Sequence, residues 1–351
     1  MSTTTAPGRG LTIAGICCLL ALTACQQPET LPERGEGTRE EQLQSFLEDN
    51  SREFRHSAAV AVIEDGDIHI ATSGEARTDS VFEIASLSKP LTGMLLADAV
   101  DRGEVQLEDP VADLLPELSG TEVGEVSLEE LATHTSGLPL VPEAEGFSDE
   151  SDALRREGRN PYPIDAEELV RLAGQQQLSG RGSYLYSNFG ISLLGHALAA
   201  RAGIPYEDLL VERLTGPLEM EHTFASRLDG HPSDELLLPG HGVGEEETFA
   251  SEAFSPSSSL RSSIADYSTF ALAVLEDEAP GMSAADPSSL HPRMGLGWHL
   301  DDETTLWHNG MSHGFGTIVW IDRAEETAVV IFSNEANDLT DIGQRLLRDL
   351  D

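Results

Sequence analysis

The sequence predicts an α/β chain of the α+β kind: an antiparallel sheet flanked by N- and C-terminal helices, joined to a mostly helical second lobe. Three observations predict it. Ser57 to Ile63 and Asp67 to Ser73 are β-rich runs on either side of Asp65-Gly66, a pair suited to a tight hairpin turn. Gly316 to Ile321 and Thr327 to Phe332 form a second pair of such runs near the C-terminus. Between the two pairs, roughly from residue 96 to 265, the pattern is mostly helical.

The flanking helices follow from apolar spacing. Leu43, Phe46 and Leu47 share one helical face ahead of the first hairpin, and Ile342, Leu346 and Leu347 do so at the end of the chain. The two ends therefore share one sheet, with helices packed on it.

Composition bounds the rest. The 351 residues, 39% of them hydrophobic, suit one large domain or two closely packed lobes with a real core. No run of 18 apolar residues follows the N-terminal segment, which argues against several membrane spans. The formal charge is −41, from 62 acidic and 21 basic residues. Such a field repels nucleic acid and anionic lipid. The acidic excess is spread along the chain, as suits a surface working in high salt, where a Debye length of about 3 Å at about 1 M screens self-repulsion.

The N-terminus reads as an export signal. Arg9 precedes a short apolar run from Leu11 to Leu22, which ends in Leu22-Thr23-Ala24-Cys25 and resembles a bacterial lipobox. The expected boundaries are a lipoprotein signal peptide over 1–24, a tether over 25–39 and a single functional domain over 40–351. Cys25 would take the lipid, placing the protein outside the cytoplasm on a bacterial membrane, periplasmic or cell-surface side. All three cysteines (Cys17, Cys18 and Cys25) lie in this segment. The body therefore has no cysteine nucleophile, cysteine-bound zinc or internal disulfide.

One basic residue stands apart. Twenty of the 21 are Arg; the single Lys is Lys89, in Ser86-Leu87-Ser88-Lys89-Pro90. Arginine does not deprotonate in a protein, whereas a desolvated lysine does near neutral pH. Pro90 fits the first turn of a helix, and Leu91, Leu95, Leu96 and Ala99 continue it towards Gly103. Ser86 then falls at the head of that helix with Lys89 one turn on. A hydroxyl beside a neutral amine, at the positive end of a helix, suits nucleophilic catalysis; a helix cap and a chance lysine is the plainer reading.

Three further segments complete a pattern. They are Tyr186-Ser187-Asn188, the run Leu131 to Pro139 with its His134-Thr135-Ser136-Gly137-Leu138, and His308-Asn309-Gly310. Together with Ser86-x-x-Lys89 these resemble the serine β-lactamase and penicillin-binding-protein superfamily, in its class C and D,D-peptidase-like branch. Fainter echoes are Pro217 to Met220, Gly295 to Trp298 and Phe332-Ser333-Asn334. The resemblance runs from about residue 40 to 350 and implies a β-lactamase/transpeptidase-like fold with the site in the cleft between lobes.

The resemblance also implies roles. Ser86 would attack an amide, lactam or ester carbonyl to give an acyl-enzyme. Lys89 and Tyr186 would share the proton transfers, with the base undecided between them. Asn188 would orient Lys89 and the substrate; His308, Asn309, Gly310 and Met311 would bind substrate, with backbone N–H groups of Ser86 and Met311 holding the oxyanion. His134 would be structural. No metal or organic cofactor is required, the expected substrate is a small molecule or peptide, and a monomer is expected.

His308 departs from the lysine that class C β-lactamases carry there. A neutral imidazole is a poor partner for a substrate carboxylate, so D,D-peptidase-like, D-amino-acid amidase and carboxylesterase activities stay open beside β-lactam hydrolysis. From another class, a catalytically idle penicillin- or peptidoglycan-binding protein also remains. Gly310-Met311-Ser312-His313-Gly314 matches G-x-S-x-G, but strand-like residues follow and no histidine comes after His313, so the nucleophile-elbow reading fails.

Overall fold

The computed structural model describes residues 37–157, 159–225, 231–242 and 249–350. The signal segment, Cys25 and most of the tether lie outside the described residues. In chain order the elements are α1 (Arg39–Asp49), β1 (Ala58–Glu64), β2 (Asp67–Ser73), β3 (Val81–Glu83), α2 (Ser88–Asp101), α3 (Leu128–Ala132), α4 (Phe147–Arg156), α5 (Ala166–Ala173) and α6 (Asn188–Ala202). They continue as α7 (Tyr206–Leu210), β4 (Phe224–Ala225), β5 (Leu260–Ser263), α8 (Ile264–Leu275), β6 (His299–Leu300), β7 (Thr305–Met311), β8 (Gly316–Asp322), β9 (Thr327–Ser333) and α9 (Thr340–Arg348).

The large sheet has the order β2-β1-β9-β8-β7-β6 and is antiparallel throughout. Chain ends meet at its centre, where Val60 pairs with Ile331 and Val62 with Val329. The β1–β2 hairpin turns through Asp65 and Gly66, at φ +53° and +80°. Two successive left-handed residues match the twist of the flanking strands, and a short acidic residue followed by glycine tolerates them best.

Strand alternation sorts the core into two layers. Val60, Val62, Ile318, Trp320, Val329 and Ile331 face α1 and α9, where Leu43, Phe46, Leu47, Ile342, Leu346 and Leu347 cover them. Ala59, Ala61, Ile63, Val319, Ile321 and Val330 face the opposite way, into a core shared with α2, α6 and α8. Covered on both faces, β8 and β9 are buried along nearly their whole length. Helix α1 begins with a capping box: Thr38 Oγ1 accepts Glu41 N–H while the Glu41 carboxylate accepts Thr38 N–H.

The second lobe is less helical than its sequence pattern predicts. A second sheet, β3-β5-β4, lies at its base, and short 3₁₀ turns at Val111–Asp113, Pro116–Leu118 and Val123–Glu125 replace helix before α3. Strand β5 reads Leu-Arg-Ser-Ser and is buried on both faces, so it leaves no alternation to detect. The acidic stretch Glu143 to Arg159 carries α4. β7 was also not predicted as a strand, because His, Asn and Gly interrupt its apolar run.

Candidate active site

Ser86 enters its position through strain. β3 ends at Glu83, and Ala85 then adopts φ +48°, a left-handed conformation that a residue with a Cβ rarely takes. That turn swings Ser86 into a short 3₁₀ turn (Ala85–Leu87) leading directly into α2. Ser88 Oγ donates to Ala85 O at 2.6 Å and Tyr267 donates its phenol hydrogen to Leu87 O at 2.9 Å, and together these hold the turn. Unfavourable backbone held by its surroundings at a reactive residue is a recurrent sign of function.

Two side chains meet the Ser86 hydroxyl. Lys89 Nζ and the Tyr186 phenol oxygen each lie 2.9 Å from Ser86 Oγ. The Lys89 side chain is wholly buried, lies 4.8 Å from the Tyr186 ring centre, and donates a hydrogen bond to Ser257 O at 2.7 Å. Burial alone pulls its amine well below the ordinary lysine range. Burial likewise pushes the Tyr186 phenol well up, so it keeps its proton. The Ser257 carbonyl has no counterpart in the sequence motifs; a run of three serines after Pro256 gives no sign of it.

The Tyr186–Asn188 segment is set by its neighbours. Ser187 caps α6 by accepting Gly190 N–H at 2.8 Å, and its own N–H donates to His134 Nδ1 at 3.2 Å. His134, buried and at φ +59°, places its ring 4.5 Å from that of Tyr186. Asn188 does not bond Lys89: its Oδ1 is buried with no hydrogen-bond partner. The expected orientation of the amine by Asn188 is therefore corrected, because Ser257 O takes that place.

On the opposite wall, Gly310 lets β7 approach. A Cβ there would stand 2.5 Å from Ile84 O and 3.2 Å from Ser86 N. Only glycine fits that contact. Ser312 N–H donates to Phe315 O on the β8 side, so strand alternation turns Met311 N–H to the other edge. There β6 pairs only with Leu306 and Trp307, leaving the edge beside Met311 open. The Asn309 side chain points away from the cleft and donates to Thr340 Oγ1 at 3.0 Å, so as a substrate contact it is corrected to its backbone alone. The G-x-S-x-G serine, Ser312, lies between β7 and β8 with no helix after it, consistent with the failed elbow reading.

His308 sits deeper than a substrate contact is expected to. Its ring is fully buried, its Nδ1 lies 2.7 Å from Asn309 O, and burial pulls its pKa well below the ordinary histidine range. Since a carbonyl only accepts, Nδ1 carries the proton and Nε2, which has no partner, is a bare acceptor. His299 stands above it at 4.8 Å between ring centres; burial, with Lys89 and His291 nearby, brings its pKa to about 4. His299 packs within 6.4 Å of Tyr186 and 4.6 Å of Trp307. Neither His299 nor Tyr184 was legible as a site residue: one motif ends one position before His299, and the other begins two positions after Tyr184. A groove of about 1510 Å³ in the helical lobe, lined by residues such as Glu168, His196 and Tyr206, contains none of Ser86, Lys89 or Tyr186.

Comparison with known proteins bears on the family and the fold. A β-lactamase of Pseudomonas fluorescens is 34% identical over 177 residues, covering 48% of this chain and 45% of that protein. A D-alanyl-D-alanine-carboxypeptidase/endopeptidase AmpH of Escherichia coli (strain K12) is 32% identical over 240 residues, 61% of this chain and 57% of its own length. The chain thus spans about half the length of the curated relatives it matches. A class C β-lactamase crystal structure from Rhodobacter sphaeroides superimposes with a TM-score of 0.70 at 23% identity, over 87% of this chain and 96% of that one, and shares its fold. The Beta-lactamase family model matches residues 44–350, so the chain belongs to the β-lactamase family.

Proposed function

We propose that this protein is a serine hydrolase that works through an acyl-enzyme on Ser86, with Lys89 as the base. The observation that carries the reading is the pair of 2.9 Å contacts to Ser86 Oγ, one from a buried amine and one from a phenol that keeps its proton. A neutral amine has a lone pair for the serine proton, and the phenol O–H then has Ser86 Oγ as its acceptor. Lys89, rather than a Tyr186 phenolate, is the acceptor because burial favours the neutral form of both groups. Tyr186 relays the proton to the leaving group. The oxyanion rests on the N–H groups of Ser86 and Met311, which the close packing of Gly310 on the Ser86 turn brings to one side. Water then releases the acyl group. The bond cleaved is an amide, lactam or ester, in keeping with the names of the relatives.

Labelling tests the reading. A fluorophosphonate, which carries no carboxylate, is expected to mark the wild type covalently and to leave Ser86→Ala unmarked. An unlabelled wild type would point instead to an idle binding protein.

The reading extends to the cell surface. Lipid on Cys25 anchors the exported, monomeric enzyme to a bacterial membrane, with residues 1–24 removed; the lipobox-like Leu22 to Cys25 supports this. Labelled palmitate is expected to enter the wild type but not Cys25→Ala. The acidic surface suits high salt, supported by the charge of −41.

A further inference from the structure

The mouth of the cleft is apolar. Among the described residues six large hydrophobic side chains stay exposed, and five of them, Leu140, Tyr184, Leu185, Leu290 and Met311, lie on segments that carry or border the partners of Ser86. Single exposed hydrophobics are ordinary, but five of six falling on the segments that build one site is not. The site's own contacts hold them there. Leu140 O accepts Phe189 N–H in the first turn of α6, and Leu185 N–H donates to His134 O at 2.7 Å. The Tyr184 ring stands 5.5 Å from His291, next to Leu290, and 6.5 Å from His299.

The polar groups around this mouth lack what a carboxylate needs. An anion is held by charge-assisted donors. Lys89 is buried and already donates to Ser257 O. His308 Nε2 is a buried acceptor without a partner, which repels an anion rather than binds it. Arg181 and Arg293, the arginines on the two segments that form the Tyr184 wall, are committed: Arg181 to Glu130, Arg293 to Leu300 O and Asp301.

We infer that the site selects uncharged acyl donors, esters or amides that bear an apolar group and no carboxylate, with Tyr184 and Leu290 forming the wall on which that group rests. This rests on the hydrolase reading above and sets its substrate class. The bond from the acyl carbon to the leaving group breaks as the bond to Ser86 Oγ forms, and the serine proton passes through Lys89 and Tyr186 to the leaving group. Water then cleaves the acyl-serine to give the free acid and Ser86.

The test compares two esters of equal length, p-nitrophenyl butyrate and the mono-p-nitrophenyl ester of succinic acid, on the full chain. Rates are corrected for each ester's reaction with hydroxide, Ser86→Ala serves as the blank, and fluorophosphonate titration counts active serines. The expected kcat/KM for the butyrate is at least tenfold the higher. In a series from acetate to hexanoate kcat/KM should rise about threefold to fourfold per methylene, the factor set by burying each CH₂. Tyr184→Ala and, independently, Leu290→Ala should flatten that rise. Equal or better turnover of the succinate ester by a fluorophosphonate-reactive enzyme overturns the substrate class and leaves the hydrolase standing. Absence of both labelling and turnover overturns the hydrolase reading, and this inference with it.

Discussion

Ser257 O, 168 positions after Lys89, accepts a hydrogen bond from its Nζ at 2.7 Å on the side away from Ser86. The carbonyl is held by a buried network beneath the amine. Thr92 Oγ1 donates to Pro256 O and lies within hydrogen-bond distance of the Tyr206 phenol, both at 2.6 Å, and Ser192 Oγ lies 2.8 Å from Ser257 Oγ. Thr92→Val keeps the shape but leaves Pro256 O without its hydrogen and the Tyr206 hydroxyl unpaired. The expected loss of stability is about 1–3 kcal/mol, read by urea unfolding, with kcat falling more than KM changes. A stability loss with kcat untouched would mean that this network does not aim the amine.

Lys89 links catalysis to stability. Lys89→Arg should abolish acylation, since guanidinium keeps its proton; a loss of at least about 10³-fold is expected in the burst of p-nitrophenol. Wild-type activity should rise with pH through the lowered lysine pKa.

The same shift fixes a sign for stability. The folded-state pKa of Lys89 lies below the unfolded value of about 10.4. Between the two, the unfolded chain holds a proton that the folded chain lacks, so this group's contribution improves as pH rises and is lost as pH falls through the folded pKa. Lys89→Met should therefore melt above the wild type at neutral pH, with the margin narrowing towards pH ~10. Melting curves across that range check it; a margin that widens with pH contradicts the buried neutral amine.

Tyr186→Phe removes the phenol hydroxyl, whose oxygen lies 2.9 Å from Ser86 Oγ, and little else. A fall in kcat of about 10²–10⁴, the usual worth of a positioned proton donor, is expected with Tm within a few degrees of wild type. Retained kcat would transfer the leaving-group proton to another group.

Gly310→Ala tests the packing of β7 on the nucleophile turn. Its Cβ would meet Thr317 Oγ1 at 2.3 Å and Ile84 O at 2.5 Å, so the strand must move off Ser86 N. Separating the two oxyanion donors should lower kcat by about 10²–10³, measured alongside circular dichroism to show that the fold persists.

Salt should act on stability as well. Screening the self-repulsion of a −41 chain is expected to raise Tm between low and molar KCl. An unchanged Tm would separate the acidic surface from any need for salt.

Much of the fold was legible in the sequence. The four predicted strands match β1, β2, β8 and β9 within one residue, because β-rich runs and an Asp-Gly turn are local signals. The capped ends of the chain were legible for the same reason: Leu43, Phe46 and Leu47, and Ile342, Leu346 and Leu347, repeat at helical spacing and cover one face of the sheet. β5 and β7 were not, since Leu-Arg-Ser-Ser and His-Asn-Gly carry no strand-like periodicity; β5 is fixed by pairing with the distant β3, and β7 by its place between β6 and β8 in the sheet.

The site divides in the same way. The sequence alone determined which residues could react: a lone lysine one turn after a serine and a Tyr-x-Asn segment are properties of the chain in order. What only the tertiary structure decided is their charge and their company. Whether the amine is neutral depends on how completely water is excluded from it, and Ser257, His299 and Tyr184 reach the cleft through contacts between segments far apart in sequence. Burial and long-range contact are properties of the packed chain, and no local stretch of sequence encodes them.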